Sequence, residues 1–454
     1  MKCDVLLIDT MSSFRVETGL VYPSLVTAQM TGFLDRENIS FDVLFAIPQE
    51  DRTIHILHDN EIAADAFPDR LAALSPKIVA FFPEPELLPP CLLVHRQARK
   101  VLPGAQFCIG VNSGKAKRQY YHNAGFDYVC GQDLFTSFPH LVNELLRGRH
   151  PGSSFVAKDT THADLSSFPF VSKKFFAHMK PQWCFPSGRI IPFGLVVDSL
   201  GCTGACPHCP NSSFWGSEWR AMSADRIFRE IKYQKDLLDV DTFLFGGINV
   251  LPNQCGGMAS SYPHEEAVNR LHLLDGLLRE NSLEISFFGT IRPDTVSHLS
   301  QHAPEMLDCY LDRLKVCFMG LESFSATVLN GLGKNITLNS IRTAVSMLES
   351  RGIMIIASFM VGSPCETRET LAETEHFIMH ELPRSSIPIL NIMTPYPGSA
   401  FYDEMIKKSF LTKSDPAFFN GKHLVYRHPV FKPGELEKRI QEFYYRFFTD
   451  RYSV

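Results

Sequence analysis

Three cysteines, Cys202, Cys206 and Cys209, fall within eight residues of the segment LVVDSLGCTGACPHC, which runs from Leu195 to Cys209. Three chemistries use sulfur at such spacings. The pair Cys206-Pro207-His208-Cys209 suits a redox dithiol in which a low-pKa thiolate opens a helix, but this gives Cys202 no role. Zinc asks for four ligands, and the three thiols with His208 supply that number. The adjacent side chains of His208 and Cys209 project awkwardly for one tetrahedral ion. A C-x3-C-x2-C loop can instead hold three irons of a [4Fe–4S] cube, thiolates being the soft ligands that such clusters take. The fourth iron is then open to a substrate, whereas a fully ligated cluster would only carry electrons. On these residues alone the dithiol and the zinc site stay open beside the cluster.

Any of the three needs a scaffold to hold the loop. The chain has 454 residues with 45% hydrophobic and 20% charged side chains, enough to bury the cores of two or more domains. A net charge of −5 without a long Lys/Arg run argues against a nucleic-acid footprint. The small cluster Lys115, Lys117 and Arg118 reads as a solvated face. No apolar run reaches the ~18 residues of a membrane span, and the start MKCDVLLIDT lacks a signal-peptide layout, so a cytoplasmic location is expected. In that compartment thiols stay reduced. Cys3, Cys91, Cys108, Cys130, Cys309 and Cys317 read as small buried hydrophobes, while Cys184, Cys255 and Cys365 lie in turn-rich stretches.

Residues 1–148 alternate short apolar runs (CDVLLID, FDVLFAI, KIVAFFP, QFCIGV, YVCGQ) with helical stretches such as 23–34. This pattern predicts a flavodoxin-like, doubly wound sheet whose ligands sit beyond the carboxyl ends of its strands. Those ends are Thr10–Ser13, Pro83–Glu86, Gly110–Ser113 and Gly131–Asp133. Residues 149–188, rich in Ser, Thr, Pro and Asp, read as a linker. From 189 to 400 six further strand candidates (PFGLVVDS, DTFLFG, LEISFFG, LKVCFMG, MIIASFMV, PILNIMT) alternate with helical patterns, one of them opened by a Thr337 cap. Six β-α units in series predict a partial (β/α)6 TIM-type barrel, with the cysteines at the carboxyl end of its first strand, where barrels place their chemistry. Residues 401–454, ending in PGELEKRIQEFYYRFF, read as a helical C-terminal cap.

A cysteine triplet after the first strand of such a barrel resembles the signature of the radical S-adenosylmethionine (SAM) enzymes. The resemblance implies a [4Fe–4S] cluster on Cys202, Cys206 and Cys209 whose open iron chelates SAM. Reductive cleavage then yields a 5′-deoxyadenosyl radical, with flavodoxin or ferredoxin as the electron donor. It also implies roles along the barrel. Gly246-Gly247-Ile248-Asn249 stands where the family has a GGE-type turn that receives the SAM amino group. Ile replaces the usual acid, so a polar contact falls to Asn249 or to the main chain. Paired glycines suit a close approach of backbone to ligand. Gly320-Leu321-Glu322 resembles a GxE segment facing SAM, and Arg292, after the third strand, is a candidate for the SAM carboxylate or for an ordinary salt bridge. VGSP at 361–364 and TPYPG at 394–398 resemble further family segments, with Ser358 and Tyr396 as candidates for the adenosine pocket. His208 takes the place of a usual aromatic residue beside adenine.

The order of domains resembles the branch of the family with an N-terminal cobalamin-binding-type domain, many of whose members are methyltransferases. The cobalamin-ligating D-x-H-x-x-G pattern is absent, because Asp9-Thr10-Met11-Ser12-Ser13 contains no His. His55 and His58 lie in a stretch without clear pattern, and His95 and His122 in helical ones. Any corrin is therefore expected against Thr10–Phe14, Pro83–Glu86 and Gly110–Ser113 without a histidine from the first loop. Two activities follow from the resemblance. One is cobalamin-dependent methylation of a small molecule or peptide. The other is a cobalamin-free rearrangement, cyclisation or dehydrogenation in which the N-terminal domain shapes the pocket. The loop Val250–Tyr262 and the pair Trp215/Trp219 are candidates for facing the substrate, with core packing the favoured reading for the tryptophans.

Overall fold

The computed structural model describes residues 2–11, 20–21, 23–49, 52–58, 61–63, 66–84, 87–111, 120–131, 133–156, 164–184, 189–204, 206–209, 211, 218–247, 250–251, 265–415 and 418–452. They divide into two compact units. One takes residues 1–197, 213–216 and 229–243, the other residues 198–212, 217–228 and 244–454. Among the described residues no helix is long and apolar enough to cross a membrane.

The first unit contains β1 (Val5–Thr10), β2 (Leu20–Val21), β3 (Phe41–Pro48), β4 (Ile54–His58), β5 (Glu61–Ala63), β6 (Ile78–Phe81), β7 (Gln106–Gly110), β8 (Tyr128–Cys130), β9 (Phe155–Val156), β10 (Gln182–Cys184), β11 (Ile190–Pro192) and β12 (Gly194–Val196). Its main sheet runs β5-β4-β3-β1-β6-β7-β8-β9. From β3 to β9 neighbouring strands are parallel. Every residue of β1 and β6 is buried, as expected of parallel strands covered on both faces. In chain order β3-β1-β6-β7-β8 reads 2-1-3-4-5, the flavodoxin-like order with its switch point between β1 and β6. At that point Asp9 Oδ2 accepts the Ser24 N–H at 2.8 Å, which ties the start of helix Leu25–Arg36 to the end of β1. His55 and His58 lie on β4, which pairs antiparallel with β3 and β5 at the sheet edge. Residues 149–184 contribute β9, the turn Leu165–Ser167, helix Lys173–His178 and β10, which pairs with β2 and β11.

His95 is 2% exposed on helix Leu88–Val101, stacked 4.0 Å from Phe126 and edge-on to Phe81 and Phe107. Burial, helped by Arg99, pushes its pKa down to about 4. The unfolded chain, with an ordinary value near ~6.5, takes up a proton between those limits that the folded chain refuses. Stability is thus intact above pH 6.5 and falls as pH drops toward 4. Between pH 7 and pH 5 this group is expected to remove ~2 kcal/mol. In urea unfolding of H95F at the two pH values, the drop should shrink by about that amount.

Downstream lie β13 (Ser199–Leu200), β14 (Arg220–Ala221), β15 (Thr242–Phe245), β16 (Ser286–Thr290), β17 (Leu314–Glu322), β18 (Met354–Val361) and β19 (Ile387–Ile392). Strands β12-β15-β16-β17-β18-β19 form one six-stranded sheet in chain order, parallel from β16 onward. This is the partial barrel that the sequence predicts. Thr337 opens helix Leu338–Ser350 with a full capping box. The C-terminal helix Glu435–Tyr452 covers the last strand, where Tyr444 Oη accepts the Leu390 N–H at 2.8 Å and protects an otherwise open edge. Arg439 holds the same helix to Glu375 through two bonds of 2.8 and 3.2 Å.

Candidate functional site

The cysteine loop is closed at its neck. β13 and β14 pair antiparallel, Ser199 with Ala221 and Leu200 with Arg220, so the chain that leaves after Leu200 must return at Trp219. Within the loop the Gly204 N–H lies 3.4 Å from Cys202 Sγ, and Cys209 N–H donates to Cys206 O at 3.1 Å. Pro207 O accepts the Phe401 N–H at 2.9 Å, which anchors the loop to the segment after β19. Cys206 feels the charge of Cys202, and Cys209 that of both. Burial pushes the Cys206 thiol up, with Lys334 and Arg292 pulling against it, and pushes Cys209 up to about 12. Half-buried thiols gathered in this way, two of them with raised pKa values, become thiolates readily against a strong local cation, and iron supplies one. Among the described residues no three His, Cys, Asp or Glu side chains converge on a single-ion site. A cube takes its thiolates at three separate irons, so the donor set fits it.

Within electrostatic reach of Cys206 and Cys209 stands Glu322, the last residue of β17. The register against β18 slips between Gly320 and Glu322, and Glu322 takes a left-handed φ of 64°. A carboxylate held in that sparsely populated region is a feature of sites more than of plain strands. Lys334 Nζ bonds Glu322 Oε1 at 2.5 Å and Gly320 O at 2.6 Å. A Cβ on Gly320 would stand 2.6 Å from both charged atoms, so a side chain there would push the Glu322–Lys334 pair aside. Burial raises the Glu322 pKa, and Lys334, His208 and Arg292 outweigh it, leaving the carboxyl below its ordinary range. Burial holds the His208 pKa down. Ser358 pairs with Gly320 across the sheet and shares this end of the strands.

Arg292 is more engaged than the sequence suggests. Its Nε and Nη2 grip Asp294 at 2.9 and 3.0 Å, and Nη2 also donates to Lys334 O at 2.8 Å. The salt bridge is present, and it aims the guanidinium at the same corner. Gly247, after β15, donates its N–H to Asp198 Oδ1 at 2.7 Å, and its carbonyl accepts Thr290 Oγ1 at 2.7 Å. A Cβ there would overlap Ser199 Oγ and lie 2.8 Å from Asp198 Oδ1. Internal packing therefore already demands this glycine, before any ligand arrives. Tyr396 lies in the turn after β19, its hydroxyl facing Gly421.

The structure thus brings together the three cysteines, His208, Arg292, Glu322 and Ser358. Asn249, Trp215 and residues 252–262 of the candidate substrate loop, Cys255 among them, lie outside the described residues. Sequence reasoning missed Lys334, Asp198 and Arg270. The one local signal for Lys334 is its position just after the left-handed Gly333 that ends helix Ala326–Leu332. A correction concerns Cys309, which is half-buried beside His272 Nδ1 at 3.3 Å and not a core hydrophobe. The helix turns Tyr310 and Leu311 inward in its place.

At the N-terminal strand ends the glycines serve packing. A Cβ on Gly110 would overlap the Phe82 ring, and one on Gly131 would lie 2.8 Å from Phe155. Asp133 caps helix Leu134–Leu146, accepting the Phe135 N–H at 3.1 Å. Of the expected corrin walls, residues 12–14, 85–86 and 112–113 lie outside the described residues.

A cysteine loop after the first strand of a six-stranded sheet, with a carboxylate at the end of the fourth, is the arrangement that the resemblance to radical SAM enzymes implies. Residues 196–378 match the Radical SAM superfamily model, and the chain carries that domain. Among curated proteins it is 25% identical over 268 residues to the uncharacterized methyltransferase PH0819 of Pyrococcus horikoshii, covering 57% of this chain and 52% of that protein. It is 24% identical to the hopanoid C-3 methylase of Methylococcus capsulatus, over 57% of this chain and 45% of that one. The matches span about half the length of these relatives. Among solved structures, the cobalamin-dependent SAM radical enzyme OxsB superposes with a TM-score of 0.66 at 12% identity, over 98% of this chain and 67% of the other. The radical SAM methyltransferase TsrM of Kitasatospora setae, solved with cobalamin and a [4Fe–4S] cluster, gives 0.63 at 13% identity, over 99% and 89%. At such identities the likeness is one of fold, and it extends over nearly the whole chain.

Proposed function

We propose that this protein is a cobalamin-dependent radical SAM methyltransferase acting on a small molecule or peptide. The observation that carries the reading is the closed loop of Cys202, Cys206 and Cys209 within electrostatic reach of Glu322, Lys334 and Arg292. In this reading the three thiolates hold three irons. Glu322 and the Gly246 main chain receive the SAM amino group, Arg292 faces its carboxylate, and His208 lies against adenine. Ser358, Tyr396 and Asn249 complete the pocket. When bound, the reduced cluster supplies the electron that cleaves SAM, and cobalamin supplies the methyl group. The protein's part is to hold SAM at a dry strand end and to shield the radical from solvent. Residues 1–148 form the corrin-binding-type domain, 149–188 the connection, which itself adds β9 and β10 to the first unit, 189–400 the barrel and 401–454 its cap. A cytoplasmic flavodoxin or ferredoxin provides electrons, and nucleic acid is not a partner. Methyl transfer is supported by the names of the curated relatives and by the flavodoxin-like order of the first sheet.

Anaerobic reconstitution with iron, sulfide and hydroxocobalamin, followed by desalting, tests this. The expected result is a charge-transfer spectrum of the cluster together with a retained corrin spectrum. A protein that loads its cluster and keeps no corrin would replace methyl transfer by the cobalamin-free alternative.

A further inference from the structure

Behind the glycine turn lies a buried ion pair that the reading above does not use. Asp198 is fully buried, and Arg270, on helix Glu265–Glu280, is 5% exposed. Arg270 Nη1 and Nη2 each lie 3.2 Å from Asp198 Oδ2, and Nη1 also donates to the Asp198 carbonyl at 2.8 Å. Ser199 Oγ donates to the same Oδ2 at 3.0 Å. The other carboxylate oxygen, Oδ1, takes the Gly247 N–H at 2.7 Å, while Arg270 Nη2 reaches forward to Val250 O at 3.3 Å. One guanidinium–carboxylate pair therefore holds the chain on both sides of the turn, at Gly247 and at Val250. Trp219 closes over it, its ring centre 5.3 Å from the guanidinium carbon.

Stability alone is a weak reason for such a pair, since apolar residues of similar volume usually do as well in a buried place. What a forked cation on a carboxylate adds is direction. Here both partners apply that direction to backbone atoms, the Gly247 N–H and the Val250 carbonyl. We propose that Asp198 and Arg270 are positioning residues for SAM. They touch no ligand, and they fix the main chain at Gly246–Gly247 in the orientation that receives the SAM amino group. The inference rests on the radical SAM reading.

Asp198→Ala alone would strand a buried guanidinium, so the informative variants are D198N and the apolar double variant D198L/R270M. Holoenzyme of each is compared with wild type for SAM affinity by equilibrium dialysis, for iron and sulfide content, and for melting temperature. The expected result is a double variant with a full cluster and near-native melting whose SAM affinity is weaker by tenfold or more. D198N keeps an oxygen for Gly247 but conflicts with Arg270, and should fall between. Wild-type SAM affinity in a folded, cluster-loaded double variant would show that the pair only supports the fold. If the double variant does not fold, D198N decides alone: weaker SAM binding at unchanged melting supports positioning, and unchanged binding overturns it. Wild-type holoenzyme that loads a cluster and binds no SAM would overturn the radical SAM reading, and this inference with it.

Discussion

Any one of the changes Cys202→Ala, Cys206→Ala or Cys209→Ala is expected to abolish reductive cleavage of SAM, and the triple change to empty the protein of iron and sulfide. Each cysteine is assigned one iron, so losing one leaves a cube with two protein ligands and two open corners. The loop itself should survive. Its neck is the β13–β14 pair, and its outer anchor is the bond from Phe401 to Pro207 O, neither of which uses a cysteine side chain. The variants should therefore melt close to the ligand-free wild type. Cys184→Ala and Cys365→Ala are the controls, both half-buried thiols outside the loop, and both should keep a full complement of iron. A triple variant that retained its iron and sulfide would show that the cluster, if there is one, lies elsewhere. The dithiol reading makes the opposite forecast, with Cys206 and Cys209 essential and Cys202 dispensable.

What the sequence makes legible is what short-range pattern controls. MIIASFMV is β18 to the residue, since a buried parallel strand is one unbroken apolar run. The Thr337 cap is written in residues three apart, and the cysteine triplet lies within one loop. The hairpin of β4 and β5 stayed hidden because IHILH and EIA mix polar with apolar residues at a sheet edge, where only part of the surface is covered. The site's supporting charges are hidden for another reason. Lys334 meets Glu322 only because a helix of seven residues returns the chain to the same strand end. Asp198 and Arg270 are 72 positions apart, so each alone looks like an ordinary polar residue. Asp198 sits at the end of an apolar run and Arg270 in an amphipathic helix. Pairings of this kind belong to the tertiary fold, and periodicity does not encode them.

Glu322→Ala is expected to weaken SAM binding by ~1.5–3 kcal/mol, on the order of ten- to a hundredfold in Kd, if the carboxylate meets the SAM amino group. The single change also leaves Lys334 with its counter-charge removed at a site where its side chain is only 10% exposed. Stability should therefore fall as well, and the two effects must be separated. Lys334→Met isolates the second, because it leaves the carboxylate without its lysine and is expected to cost ~3 kcal/mol in ligand-free protein. The double variant E322A/K334M removes both charges and should recover most of the lost stability without recovering SAM affinity. Glu322→Gly adds a backbone test. With φ at 64° the alanine carries a left-handed strain that glycine does not, so E322G should be more stable than E322A by ~1 kcal/mol while binding SAM equally poorly. Calorimetric titration with SAM and thermal melts on the same samples give both readings. Unchanged SAM affinity in well-folded E322A would mean that Glu322 serves to tie Lys334 to the end of β17, and that the SAM amino group meets main chain instead. The strained φ would then be explained by the lysine alone, and K334M would be expected to release it, with E322G no longer the more stable variant in that background.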